Sequence, residues 1–275
     1  MAENERPFVI LIDTNAMAAL SLYVESSNIV GRCLGISVDD LKNEFKNIKD
    51  IKSDYLNFDE IKKGYKVYDY LREKIKSFDG NINIWFSLLS EIELLNVFLD
   101  RAFDHELTRK GIPYRIRRKK PFRTQIDFDY EEKIAKYWRD IKDKLGKEGI
   151  EFYNPEKESE AVQDIIKIAK IVTQYVALEP VDLYLYASGI DLRADEIYTY
   201  DEEFRKIINK IRPDREWKNI YENIQQELKK IIPSIQEECE TSYEKDVMEK
   251  KTDLSREEFI LKKKIDLPRG VNCKK

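Results

Sequence analysis

Two acidic residues in this sequence stand directly after short runs that have the composition of β-strands. Phe8–Ile12 is apolar throughout and is followed by Asp13, and Glu196–Tyr200 is followed by Asp201. A strand that is apolar on both faces is typical of a parallel sheet covered by helices on both sides. Because such sheets bind ligands at the carboxyl ends of their strands, Asp13 and Asp201 are candidate site residues.

Two further acids occupy comparable positions. Glu93 lies in the helix that is predicted to follow a second strand, Ile82–Phe86. Asp182 lies in the first turn of a helix predicted to begin after Pro180 and to end at Gly189. The chain thus offers a set of carboxylates, each next to a strand or at the start of a helix.

Three of these acids also have a purely structural interpretation, which the sequence leaves open. Asp13 could cap the helix predicted over Ala16–Tyr23. Glu93 stands in the third position after Ser90, and the two residues could form a capping box. Asp182 would be stabilised by the positive end of its own helix.

The other residue types narrow the chemistry. His105 is the single histidine, the three cysteines are scattered, and no glycine-rich nucleotide-binding loop is present. Histidine-rich metal sites are therefore excluded, and His105 lies near no motif for a serine or cysteine nucleophile. Carboxylates without histidine or cysteine suit hard cations such as Mg²⁺ or Mn²⁺.

Four local motifs together resemble the PIN-domain nucleases. They are Asp13-Thr14-Asn15 after the first strand, Ser87 with Glu93 six positions later, Asp182 at the start of a helix, and Thr199-x-Asp201-x-x-Phe204. The resemblance implies an α/β fold, a PIN-like three-layer sandwich with a central parallel sheet, over residues 7–212. A helical insert at about 37–79 and a basic loop at about 101–125 enlarge it, and residues 213–275 form a helical C-terminal extension.

The resemblance also implies a site. The acids of this family meet at the carboxyl edge of the sheet and bind one or two divalent metal ions, usually to cut RNA. Carried over by position, Asp13, Glu93, Asp182 and Asp201 are expected to be the catalytic metal ligands, with Asn15 and Thr199 as polar supports. Glu91 is a rival for the role of Glu93, since it lies two positions away.

The predicted basic loop combines cations with aromatic side chains. Its candidate nucleic-acid-binding residues are Arg109, Lys110, Tyr114, Arg115, Arg117, Arg118, Lys119, Lys120 and Arg123. Cations attract a phosphate backbone, and aromatic rings can stack on bases. The alternative is a charge run that is merely solvated.

We therefore expect a metal-dependent endoribonuclease that uses Mg²⁺ or Mn²⁺. Two alternatives remain: a PIN-fold module that binds RNA or protein without cutting, and a structure-specific DNA nuclease. The insert and the tail are candidate surfaces for a homodimer or for a protein partner. The start of the chain does not resemble a signal peptide, and no apolar run approaches the length of a membrane span, so we expect a cytoplasmic protein without a membrane partner.

Overall fold

The computed structural model describes residues 6–48, 57–111, 129, 131–153, 159–211 and 215–231. Its strands are β1 (Phe8–Ile12), β2 (Ile82–Trp85), β3 (Phe152–Tyr153) and β4 (Glu196–Tyr198). Its α-helices are α1 (Thr14–Ile29), α2 (Val38–Asn47), α3 (Phe58–Ser77), α4 (Leu88–Arg109), α5 (Tyr137–Lys147), α6 (Ser159–Val172), α7 (Pro180–Asp191), α8 (Glu202–Lys210) and α9 (Lys218–Ile231). A π-helical stretch, Glu131–Lys136, precedes α5.

The chain is an α/β protein built on a four-stranded sheet in the order β3-β2-β1-β4. The central strand β1 pairs in parallel with β2, where Ile10 is opposite Ile84, and with β4, where Leu11 is opposite Ile197. Val9–Ile12 is buried, as expected for a strand that is covered on both faces. No helix in the described ranges is long and apolar enough to cross a bilayer.

The chain forms two compact units that alternate along the sequence. The first unit comprises residues 1–13, 81–88 and 153–275, and the second comprises residues 14–80 and 89–152. The first unit contains β1, β2 and β4 together with α6 to α9. The second unit is helical and contains α1, α2, α3 and α5, with α4 from its second residue onward.

The core of the first unit is made by β1, β4 and the four helices around them. Leu11 and Ile197 of the sheet belong to one buried cluster with Ile168 of α6, Phe204 of α8 and Leu228 of α9. Helix α9 comes from the predicted C-terminal extension, and it packs here as an integral part of the core.

Helix α7 packs closely on the sheet at Gly189. A Cβ atom at this position would lie 3.0 Å from Ile197 Cδ1 and 3.7 Å from Leu11 Cδ2. The prediction that Gly189 ends the helix is wrong, because α7 continues to Asp191. Gly189 does not end the helix. Its lack of a side chain allows the helix to approach the sheet.

The prediction of β1 is confirmed, whereas the other strands are shorter than expected. Strand β2 ends at Trp85, and β4 ends at Tyr198 before the predicted Tyr200. After Tyr198 the chain turns, because the Thr199 hydroxyl accepts a hydrogen bond from the amide of Asp201 at 2.9 Å. This turn takes the chain out of the sheet.

One prediction and one structural alternative around α4 are wrong. The helix begins at Leu88, so Ser90 lies inside it and not at the N-cap position that the alternative of a capping box with Glu93 requires. The helix also continues to Arg109, into the region expected to be a basic loop. Buried Phe98, Phe103 and Leu107 extend the buried apolar face of the helix into this region, which outweighs the charges on the other face.

Helices α1 and α3 of the second unit approach each other closely at Gly64. A Cβ atom there would lie 2.0 Å from the carbonyl oxygen of Ala19 and 2.8 Å from Tyr23 Cβ. Tyr23 is fully buried next to this contact and forms an edge-on pair with Tyr65. Only a residue without a side chain fits between the two helices.

Gly64→Ala is expected to destabilise the protein by about 3 kcal/mol or to prevent folding, because a backbone carbonyl occupies the position of the new methyl group. Gly146→Ala is the matched control, since nothing lies within 4 Å of its Cβ position in α5. That variant should gain about 0.5–1 kcal/mol from helix propensity. Urea unfolding of both variants tests the contact, and equal stability of the two would contradict it.

A second prediction concerns Asp191 at the end of α7. Burial, helped by the nearby carboxylate of Asp164, raises the pKa of Asp191 from its ordinary 3.8 to about 6. Protonation of Asp191 is therefore more favourable in the folded protein than in the unfolded chain. The contribution of this difference to the free energy of unfolding is lost as the pH rises from about 4 through about 6.

Asp191→Asn should remove this dependence, so the variant should gain more in melting temperature at pH 7.5 than at pH 5. Asp143→Asn on α5 is a control that removes the same charge from an exposed position. Thermal unfolding at both pH values provides the measurement. A gain for Asp191→Asn that does not change with pH would show that Asp191 is not protonated in the folded state.

Candidate active site

The candidate site lies where β1 and β4 end side by side. Asp13 follows β1 directly, and its amide donates a hydrogen bond to the carbonyl oxygen of Tyr198 at 3.0 Å. The pairing of the two strands therefore continues to the residue that carries the first predicted ligand. Asp13 is 4 % exposed, so its carboxylate is held in a largely buried position.

The Thr199 hydroxyl connects two of the predicted ligands. It donates a hydrogen bond to Asp13 Oδ2 at 2.6 Å and accepts one from the amide of Asp201 at 2.9 Å. Thr199 is fully buried. A short hydrogen bond to a carboxylate restricts the rotation of the acid, so the oxygens of Asp13 have a defined direction.

Asp201 caps helix α8 with one of its two carboxylate oxygens. Its Oδ1 accepts a hydrogen bond from the amide of Phe204 at 2.8 Å, which satisfies a free donor at the start of the helix. Oδ2 of Asp201 has no hydrogen-bond partner among the residues that the structure describes. The side chain can therefore stabilise the helix and still offer an oxygen to a ligand.

Asp182 lies in the first turn of helix α7. The opposite end of this helix leads to Asp195, whose amide bonds to the carbonyl oxygen of Val9 at 2.8 Å, near the start of β1. The last turn of α7 is thus close in sequence to the residue that bonds to β1, and Asp182 lies in the first turn, at the other end of the helix. Asp182 is partly exposed there.

Glu93 and Glu91 lie on α4 in the second unit and differ in their contacts. Glu91 accepts a hydrogen bond from the indole nitrogen of Trp138 and lies 3.4 Å from the ammonium group of Lys142. Glu91 thus ties α5 to α4. Glu93 is partly exposed, and its carboxylate makes no hydrogen bond or ion pair with any described residue. Of the two acids, Glu93 is the one without a structural partner.

Hydrogen bonds connect some of the predicted site residues in the structure. Asp13, Thr199 and Asp201 form one connected group in the first unit, whereas Asn15 is an exposed residue of α1 in the second unit. Within the described ranges, no three histidine, cysteine or acidic side chains form a group that could hold a metal ion.

The predicted nucleic-acid-binding residues fall mostly outside the described ranges. Arg109 ends α4 and pairs with Glu106 at 3.0 Å, and Lys110 is exposed directly after it. The candidates that lie outside the described residues are Tyr114, Arg115, Arg117, Arg118, Lys119, Lys120 and Arg123.

One feature of α4 was missed by the sequence analysis. Leu94 and Phe98 occupy the buried face of the helix, and Arg101 follows three positions later, where another apolar residue is expected. The signal in the sequence was a cation at a position where the helical repeat predicts an apolar residue. Arg101 lies in a cleft of the second unit with His105.

No family model matches this chain, and neither the curated proteins nor the solved structures contain a match. The likeness to PIN-domain nucleases therefore stays a prediction from the residues named above.

Thr199→Val is expected to cost about 2 kcal/mol, because it leaves a buried carboxylate oxygen and a backbone amide without their hydrogen-bond partner. The melting temperature should fall by on the order of 5 °C. Thr173→Val is the control, since that exposed hydroxyl bonds only within its own helical segment. An equal loss in both variants, measured by calorimetry, would contradict a special role for Thr199.

Proposed function

We propose that this protein is a divalent-metal-dependent nuclease of the PIN type that hydrolyses phosphodiester bonds in RNA. The observation that supports this most is the connection of Asp13 to Asp201 through the hydroxyl of Thr199. It joins the acids that follow two neighbouring parallel strands, at the edge where α/β proteins bind their ligands. The finer proposal for the fold is a PIN-like three-layer sandwich.

The donor atoms fit a hard metal ion. The proposed ligands supply carboxylate oxygens only, which suits Mg²⁺ or Mn²⁺ better than a soft metal. When bound, such an ion lowers the pKa of a water molecule and neutralises charge on the phosphate.

Each residue has a proposed role. Asp13, Asp182 and Asp201 are the proposed metal ligands, and the proposal that Glu93 is the fourth acid rests on the sequence resemblance alone. Thr199 orients the Asp13 carboxylate through its 2.6 Å hydrogen bond. Asn15 is a polar support for the attacking water.

The test is cleavage of end-labelled single-stranded RNA and of a matched DNA with Mn²⁺, Mg²⁺ or EDTA. Wild-type protein should cut RNA only with metal, and Asp13→Asn/Asp182→Asn should cut at the background rate because two metal ligands are lost. Asp69→Asn/Asp143→Asn is the matched control, since it removes the same charge from exposed positions of α3 and α5. The control should cut as fast as wild type.

Metal binding is measured separately. Mn²⁺ should raise the melting temperature of the wild type and of the control, but not of the Asp13/Asp182 variant, because only a bound ligand stabilises the folded state. Wild-type protein that binds RNA without cutting it would replace this proposal by a non-catalytic module. Preferential cutting of branched DNA would make it a structure-specific DNA nuclease.

A further inference from the structure

The second unit contains a cleft of about 460 Å³ that the proposed active site does not use. It lies between α1, α4 and the segment that leads into α5. Its lining residues include Glu25, Phe98, Arg101, Lys133, Lys136 and Tyr137. A volume of this size can hold a nucleotide unit.

Arg101 is the most buried of the cations that line this cleft. Most N–H groups of its guanidinium make no hydrogen bond with the described residues. Its Nη1 donates to the carbonyl oxygen of Ala18 at 3.3 Å, which is its single hydrogen bond to the described part of the chain. No carboxylate there lies within ion-pair distance. Burial lowers the pKa of Arg101, because desolvation of the charge outweighs the opposing effect of Tyr137 and of the Glu25 and Glu60 carboxylates. An anion that enters the cleft would supply the missing partner.

The carboxylates of the cleft are partly engaged by other groups. Glu25 Oε2 accepts a hydrogen bond from the Tyr137 hydroxyl at 2.8 Å. Glu106 pairs with Arg109 at 3.0 Å, and this hydrogen bond holds the pKa of Glu106 below its usual value. Asp140 is exposed at the rim.

Lysines complete the positive side of the cleft. Lys133 and Lys136 lie on the π-helical stretch before α5, and both are exposed. The lining holds three cations, Arg101, Lys133 and Lys136, and three carboxylates, and Arg109 outside the lining pairs with Glu106. The three lining cations therefore face two other carboxylates, Glu25 and Asp140.

We propose that this cleft binds a phosphate group of a single-stranded RNA. The planar guanidinium of Arg101 can donate two parallel hydrogen bonds to phosphate oxygens, and Lys133 and Lys136 supply point charges along the strand. Phe98 and Tyr137 pack edge to face at 4.9 Å and form an aromatic wall beside Arg101. The proposal deepens the proposed function, since it gives the nuclease a second contact with its substrate.

The test is binding of a fluorescein-labelled 12-nucleotide RNA, followed by anisotropy in EDTA so that cleavage does not interfere. Lys133→Ala/Lys136→Ala is expected to weaken binding at least tenfold. The slope of log K against log salt should become shallower by about 1.4, the value for two phosphate contacts on a single strand. Lys62→Ala/Lys66→Ala on α3 is the charge-matched control, and it should change neither quantity by more than about twofold.

Arg101→Lys tests the geometry of the inner cation. It keeps the charge but removes the forked donors, so binding should weaken severalfold while the melting temperature is retained. If this variant fails to fold, the lysine pair decides the question. An equal loss of affinity in the two double-lysine variants would overturn the proposal.

A free nucleotide is the other source of the same phosphate chemistry. Binding of adenosine monophosphate that depends on Lys133 and Lys136, with RNA binding that does not, would assign the cleft to a small molecule and overturn the RNA proposal. Because binding is measured without metal, its failure is distinct from a failure of cleavage. A protein that cuts RNA but shows no effect of the cleft variants loses only this inference.

Discussion

The parallel pairing of β1 with β4 is the constraint on which the first unit depends. It places Leu11 opposite Ile197 in the centre of the core and ends with the amide of Asp13 bonded to Tyr198. The strands then separate, and the hydroxyl of Thr199 takes over the connection between them. One continuous set of hydrogen bonds thus joins the apolar core to the buried carboxylate.

The helices of the first unit preserve this arrangement. Helix α7 approaches the sheet at Gly189, and α8 is capped by Asp201, the residue whose amide bonds to Thr199. The cap and the candidate ligand are therefore the same side chain. The structural and the functional interpretations of Asp201 are compatible, because a carboxylate has two oxygens and the cap uses one of them.

The second unit combines close helix packing with the burial of a charged side chain. Its helices pack so closely at Gly64 that no side chain fits, yet Arg101 interrupts the apolar face of α4 with a desolvated cation. Burying such a charge costs free energy that packing elsewhere must offset. A binding role would explain why a cation occupies this position, since an anionic ligand recovers part of that cost.

The sequence by itself determined the central strand and the positions of the acids after it, because alternation and apolar runs are local signals. It also identified Thr199 and Asp201 as parts of one local motif, since they are two positions apart. It did not determine where helices end when a glycine or a charge run falls within a buried face, as at Gly189 and Arg101.

Only the tertiary structure decided which side chains meet. Thr199 and Asp13 are 186 positions apart, and Trp138 and Glu91 are 47 apart, so neither contact has a local signature. The second contact gives Glu91 a structural partner and leaves Glu93 without one. Such choices depend on how helices pack in three dimensions, and the spacing of residues along one chain does not contain that information.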